Sequence, residues 1–265
     1  MKRLSIVLFI QIISITALNA QILKIRKGDI TADSSGYFIG SIGFNFSLNN
    51  RSSTPEETTE FRSIEASSDL IYVSEKHAYY VLSSFENFTA TGAASINTGY
   101  GHLRANFFRK KRLSLESFTQ LQYDRSRNMQ LRFLIGSGVK YRLYEKKQSK
   151  FYIGSGLMYE REEWQPFEEG SGLRIRDLPK FNNYIRTHYD FNDHTSIDLL
   201  TYHQFGYDYI SDVWRNRISV DISLEFKLTN RLSFVASGNM QYEDRPLINI
   251  NNFIYSVRNG ILISF

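Results

Sequence analysis

The residues of this chain that could do chemistry are charges set at every second position of apolar stretches. Glu65, Asp69, Glu116, Arg132, Lys140, Arg142, Glu160, Asp198, Asp221 and Glu225 all fall in the polar register of segments whose other register is apolar or aromatic. Side chains alternate faces along a strand, so these ten share a wet face opposite a greasy one. The plainest reading is a paired network filling a narrow lumen; the sharper one is a selectivity lining for a small pore. Facing lipid instead, a Lys or Arg at mid-depth would cost about 2–4 kcal/mol.

Other chemistries find little footing. A hydrolase needs a Ser or Thr hydroxyl beside a His. The histidines are His77, His102, His188, His194 and His203. His77 and His194 fall in predicted short turns, and alternation puts His203 with the outward Phe205 but Ser219 with the inward Asp221. No metal-ligand spacing and no phosphate-binding glycine loop is present, so neither metal nor cofactor is expected, and no enzymatic activity. The Gly-x-Gly pairs inside strands read as room for bulky lumen neighbours or as points of curvature.

The elements that would carry these residues are strands. The clearest runs from Met129 to Leu143: Met129, Leu131, Phe133, Ile135, Val139, Tyr141 and Leu143 alternate with Gln130, Arg132, Gly136, Gly138, Lys140 and Arg142. Ile218 to Leu228 repeats the pattern, as does Phe38 to Leu48. The final stretch, Phe253 to Phe265, alternates in the same way and stops on an aromatic. With 20 Phe, 17 Tyr and only 4 Pro the composition suits strands. Twelve strands are predicted, with the eighth, Phe181 to Phe191, least regular and the third, Ala78 to Phe88, ambiguous in register. The connection from about Glu162 to Lys180 reads as the longest polar loop, marked by Pro166 and Pro179. Connections after strands 2, 4, 6, 8 and 10 are short, and those after 1, 3, 7, 9 and 11 generally longer.

An even strand number with alternating turn and loop lengths fits an all-β, antiparallel up-and-down transmembrane β-barrel. No apolar run after residue 20 approaches the roughly 20 residues of a membrane helix. Residues 1–20 read as a signal peptide, with Lys2 and Arg3 before an apolar run and Ala17-Leu-Asn-Ala20 as the cut site. Residues 21–35 read as a periplasmic lead-in and 36–265 as the outer-membrane barrel. Losing Lys2 and Arg3 lowers the formal charge from +5 to +3, too little to argue for nucleic acid. Without cysteine, stability must come from packing or from lipid.

The repeated strands Phe133-Leu-Ile-Gly-Ser-Gly-Val-Lys-Tyr-Arg142 and Phe151-Tyr-Ile-Gly-Ser-Gly-Leu-Met-Tyr-Glu-Arg-Glu162, with Leu228-Thr-Asn-Arg-Leu-Ser-Phe234 and Tyr242-Glu-Asp-Arg-Pro246, resemble the salt-stress-induced outer-membrane protein family of unknown function of Gram-negative bacteria. The resemblance covers about residues 97 to 265 and rests on strand and turn motifs. Where members usually carry two prolines, this chain has Pro246 followed by Leu247. The resemblance implies an outer-membrane barrel without established enzymatic activity. Resemblance to outer-membrane barrels generally implies that Phe265 is the barrel-assembly signal gripped by the assembly machinery.

The expected role is structural or envelope-stress-related, with a mostly filled lumen and a monomeric barrel; the alternative is a narrow diffusion channel for small solutes, and an outer-membrane hydrolase comes last. Expected partners are outer-membrane lipid, lipopolysaccharide and the assembly machinery. The acidic loops Pro55 to Glu60 and Trp164 to Glu169 read as solvated caps, or as bridges through divalent cations to lipopolysaccharide phosphates. Arg109 to Arg112 reads as a solvated turn, with contact to cell-wall acids as the other option.

Overall fold

A computed structural model describes residues 35–50, 60–91, 96–146, 148–229 and 232–263. The segment expected to be a signal peptide, nearly all of the expected lead-in, and Phe265 lie outside the described residues.

Twelve strands follow one another: β1 Tyr37–Asn50, β2 Glu60–Val73, β3 His77–Ala90, β4 Ile96–Phe107, β5 Leu113–Asp124, β6 Met129–Lys146, β7 Ser149–Trp164, β8 Arg174–Asp190, β9 Thr195–Asp208, β10 Val213–Lys227, β11 Leu232–Glu243 and β12 Phe253–Ile263. Each is hydrogen-bonded antiparallel to the next, in sequence order. The predicted pairing of the last strand with the first has no ladder among the described residues.

The sheet nonetheless curls tightly. Neighbouring strands lie about 4.8 Å apart, so β5 and β8 in a flat sheet would be about 14 Å apart. Yet the Tyr184 hydroxyl on β8 donates to Glu116 Oε2 on β5 at 2.6 Å. Arg217 on β10 reaches Glu160 on β7 at 2.5 Å. The polar face is therefore the inside of the curve.

The outside is apolar. Ile42 is 84% exposed, Leu157 60% and Val257 66%, with Leu103, Leu121, Ile135, Ile185 and Ile218 beside them. The ambiguous third strand settles with Tyr79, Val81 and Phe85 exposed, while Tyr80 and Leu82 line the interior.

One rim, the near rim, carries the start of β1 and the end of β12; its turns are short, including 74–76 and 191–194. The far rim carries the longest described connections, 165–173 and 244–252, although those after β5 and β9 are as short as near-rim turns.

Two expectations about the strands need correction. The eighth strand begins at Arg174, so much of the predicted long loop is strand paired to β7. Pro179 is tolerated there because the β8–β9 ladder starts only at Phe181↔Phe205, past the proline. Met129, expected outside, is buried inside with Trp164. The β6–β7 register shifts between Met129 and Leu131, and one extra residue flips a side chain to the other face.

The strand glycines make the room expected of them. A Cβ on Gly154 would lie 2.1 Å from the Tyr184 ring, and one on Gly138 would lie 2.5 Å from the Ser155 carbonyl oxygen. The first lets the tyrosine reach Glu116; the second lets β6 and β7 approach at Gly138↔Gly156.

Candidate functional site

Alternation on neighbouring strands sends six charges to one level of the interior, near the far rim. Arg132 comes from β6, Glu160 and Glu162 from β7, Lys180 from β8, Arg217 from β10 and Glu243 from β11. All six are buried. Arg217 Nη1 lies 2.5 Å from Glu160 Oε1, while its Nη2 lies 2.7 Å from Glu162 Oε1 and 3.0 Å from Glu243 Oε2. Arg132 Nη2 lies 2.6 Å from Glu160 Oε1 and its Nε 3.3 Å from Glu162. Lys180 pairs with the other Glu160 oxygen. Three cations face three carboxylates, so the plate is neutral as a whole, and each carboxylate depends on cations from other strands.

An apolar layer covers the plate. Met129 and Trp164 pack with Leu247 and Ile248 from the β11–β12 connection, and Ile250 joins them. Side-chain donors fasten that connection. Arg174 Nη1 donates to the Leu247 carbonyl at 3.3 Å and Arg127 Nη2 to the Asn251 carbonyl at 3.5 Å. Asp244 accepts from the Asn216 backbone N at 2.8 Å and from its Nδ2 at 2.9 Å. Arg127, on the 3₁₀ turn Arg125–Arg127, also lies over the Trp164 ring at 5.8 Å, and burial there lowers its pKa from the ordinary arginine value. Trp164, expected in a solvated cap, is part of this seal.

Below the plate lies a cavity of about 430 Å³ that runs down to Arg109, Glu145 and Lys150 at the near rim. Its wall is organised around Glu116. Arg104 Nη2 lies 2.6 Å from Glu116 Oε2 and Lys140 Nζ 3.5 Å from Oε1, with the Tyr184 hydroxyl as third donor. Lower down, His188 lies 3.2 Å from Asp198 and 3.4 Å from Asp190, with Arg186 3.9 Å from Asp198.

Of the ten charges expected inside, Glu116, Arg132, Lys140, Arg142, Asp198 and Asp221 line this cavity, and Glu160 centres the plate above it. Asp221 accepts from Asn239 Nδ2 at 2.5 Å. Glu65, Asp69 and Glu225 lie on strand positions of the same register but outside the cavity lining. Glu162, Lys180, Arg217 and Glu243 lie inside as well, outside the set of ten. Glu162 stands two residues from Glu160, the strand period, which was the available signal that β7 continues. His203 stacks on the outward Phe205 at 5.2 Å, while Ser219 lines the cavity.

A family model described as "Protein of unknown function, DUF481" matches residues 43–265. No curated protein sequence matches the chain. Among solved structures, a NanC porin in a rhombohedral crystal form is similar, with 14% identity and a TM-score of 0.45 over 78% of this chain and 94% of that one.

Proposed function

The chain belongs to the DUF481 family of unknown function, and from that premise we propose that it is an outer-membrane β-barrel, closed at its extracellular end, with a structural or envelope-stress role. The near rim is then periplasmic and the far rim extracellular, because short turns belong on the periplasmic side. An apolar outer face over a polar interior supports the membrane: in water that face would be an exposed patch far larger than soluble proteins tolerate. The signal-like segment at residues 1–20 supports export. The resemblance to salt-stress-induced proteins supports the envelope-stress role.

One observation carries the closed reading: the neutral plate of three cations and three carboxylates spanning β6 to β11, sealed by Met129, Trp164, Leu247 and Ile248. A conducting pore wants a continuous wetted path with weak, multiple sites, not mutually satisfied buried pairs. On this reading the barrel is a monomer that touches lipopolysaccharide outside and acts without catalysis or cofactor.

The cavity below the plate favours a second reading, a narrow diffusion channel whose plate parts to admit small solutes. Planar-bilayer recording separates the two. The purified chain is expected to give no reproducible conductance steps at moderate voltage; regular steps in the unmodified protein would establish the channel.

A further inference from the structure

The near rim carries an unbalanced band of positive charge. The turns after β2 and β4 hold Lys76, Arg109, Lys110, Lys111 and Arg112, and Lys146 ends β6. Acids on the same stretch are Glu75 and Glu145, and Glu145 is taken by Arg142 at 2.7 Å. Among the described residues, Lys110, Lys111 and Arg112 form no ion pair and are exposed.

The band is a built surface. Arg142 Nη2 donates to the carbonyls of Arg109, Lys110 and Lys111 at 3.0, 3.2 and 3.4 Å. Arg112 Nε returns a bond to the Arg142 carbonyl at 3.3 Å, and Arg109 Nε ties the neighbouring turn through the Ser74 carbonyl at 3.0 Å. One guanidinium thus gathers the carbonyls of the turn while the side chains of Lys110, Lys111 and Arg112 stay exposed.

Three of the cations rest on aromatic rings. Lys111 Nζ lies 5.0 Å from the Phe108 ring centre, the Arg112 guanidinium 5.0 Å from Tyr141 and Lys146 Nζ 5.5 Å from Tyr144. Phe108 and Tyr144 are exposed, and Tyr141 shares the register of the exposed Val139. Aromatic rings at the ends of membrane-spanning strands sit at headgroup depth, so cations stacked on them sit among lipid phosphates.

We infer that this rim is a docking surface for anionic phospholipid headgroups of the periplasmic leaflet, with Lys110, Lys111 and Arg112 as its centre. Clusters of four to eight basic residues at a membrane boundary attract anionic lipid in this way. An acidic cell-wall polymer would be met by cations projecting away from the barrel, whereas three of these lie on its rim rings. The inference rests on the outer-membrane reading.

The test uses the full chain in nanodiscs of equimolar phosphatidylethanolamine and phosphatidylglycerol, with retained lipid counted by native mass spectrometry. The wild type is expected to keep phosphatidylglycerol about five-fold over phosphatidylethanolamine, and K110Q/K111Q/R112Q to fall within about two-fold of parity. Equal retention by the wild type, or an unchanged preference in the variant, overturns the inference. Heat-modifiable gel migration confirms that the variant is folded. Flotation with the same lipids separates the two failures: a chain that does not float refutes the membrane reading itself, while one that floats without lipid preference refutes only the docking surface. Variant-sensitive retention on isolated cell-wall sacculi, without a lipid preference, would give the rim to the polymer instead.

Discussion

Arg217→Leu is expected to destabilise the fold by about 3–5 kcal/mol, because it strips a buried charge from partners that cannot rehydrate. Arg217 is 2% exposed and touches Glu160, Glu162 and Glu243. Without it, Arg132 and Lys180 must balance three buried carboxylates. Arg217→Lys keeps the charge but offers one ammonium where a fork of donors reached three acids, so it is expected to lose less. The pairing itself is tested by R217L/E243Q, which restores the count of charges and is expected to recover part of the loss. Urea midpoints of the refolded protein report all three variants. A double variant no more stable than R217L would show that charge balance is not what holds the plate.

Trp164→Ala is expected to have the next largest effect, again about 3–5 kcal/mol, from the cavity left by the largest side chain in the seal. Trp164 is 2% exposed and packs with Met129, Leu247 and Ile248. The indole also carries the guanidinium of Arg127, which in turn holds the Asn251 carbonyl. Losing it should free the β11–β12 connection while leaving the sheet ladders intact. Thermolysin, which cuts before large apolar residues, then reports the change: wild type resists cleavage at Leu247 and Ile248, and W164A is cut there. A W164A chain that resists as well as wild type would mean that Arg174 and Asn216 alone hold the connection.

How far the sequence foretold this arrangement depends on distance along the chain. Strand period is a local signal, and it placed Arg132, Lys140 and Arg142 on the inner face of β6 and Leu121, Ile135 and Ile218 outside. It failed where a second local signal spoke louder. Pro166, Pro179 and the charged run between them read as loop, although Ile175, Pro179, Phe181 and Ile185 continue one face of β8. It also failed at Met129, where a one-residue bulge reverses the parity. The plate was out of reach for another reason. Glu160 and Arg217 meet across 57 residues and three strand positions, and only the curl of the sheet brings them together. Alternation shows which residues face inward; it does not show which of them share a depth.

The central claim, an outer-membrane barrel sealed at its extracellular end with a cavity open below, has a direct test because the chain contains no cysteine. Ser211 lies exposed in the connection 209–212, and Ser219 lines the cavity two residues below Arg217. Single variants S211C and S219C, treated on intact cells with a maleimide that cannot cross the outer membrane, are predicted to differ. S211C labels fully, S219C stays unlabelled, and S219C becomes labelled once the periplasm is opened. Labelling of S219C on intact cells at the rate of S211C would contradict the seal, and failure to label S211C there would contradict the orientation.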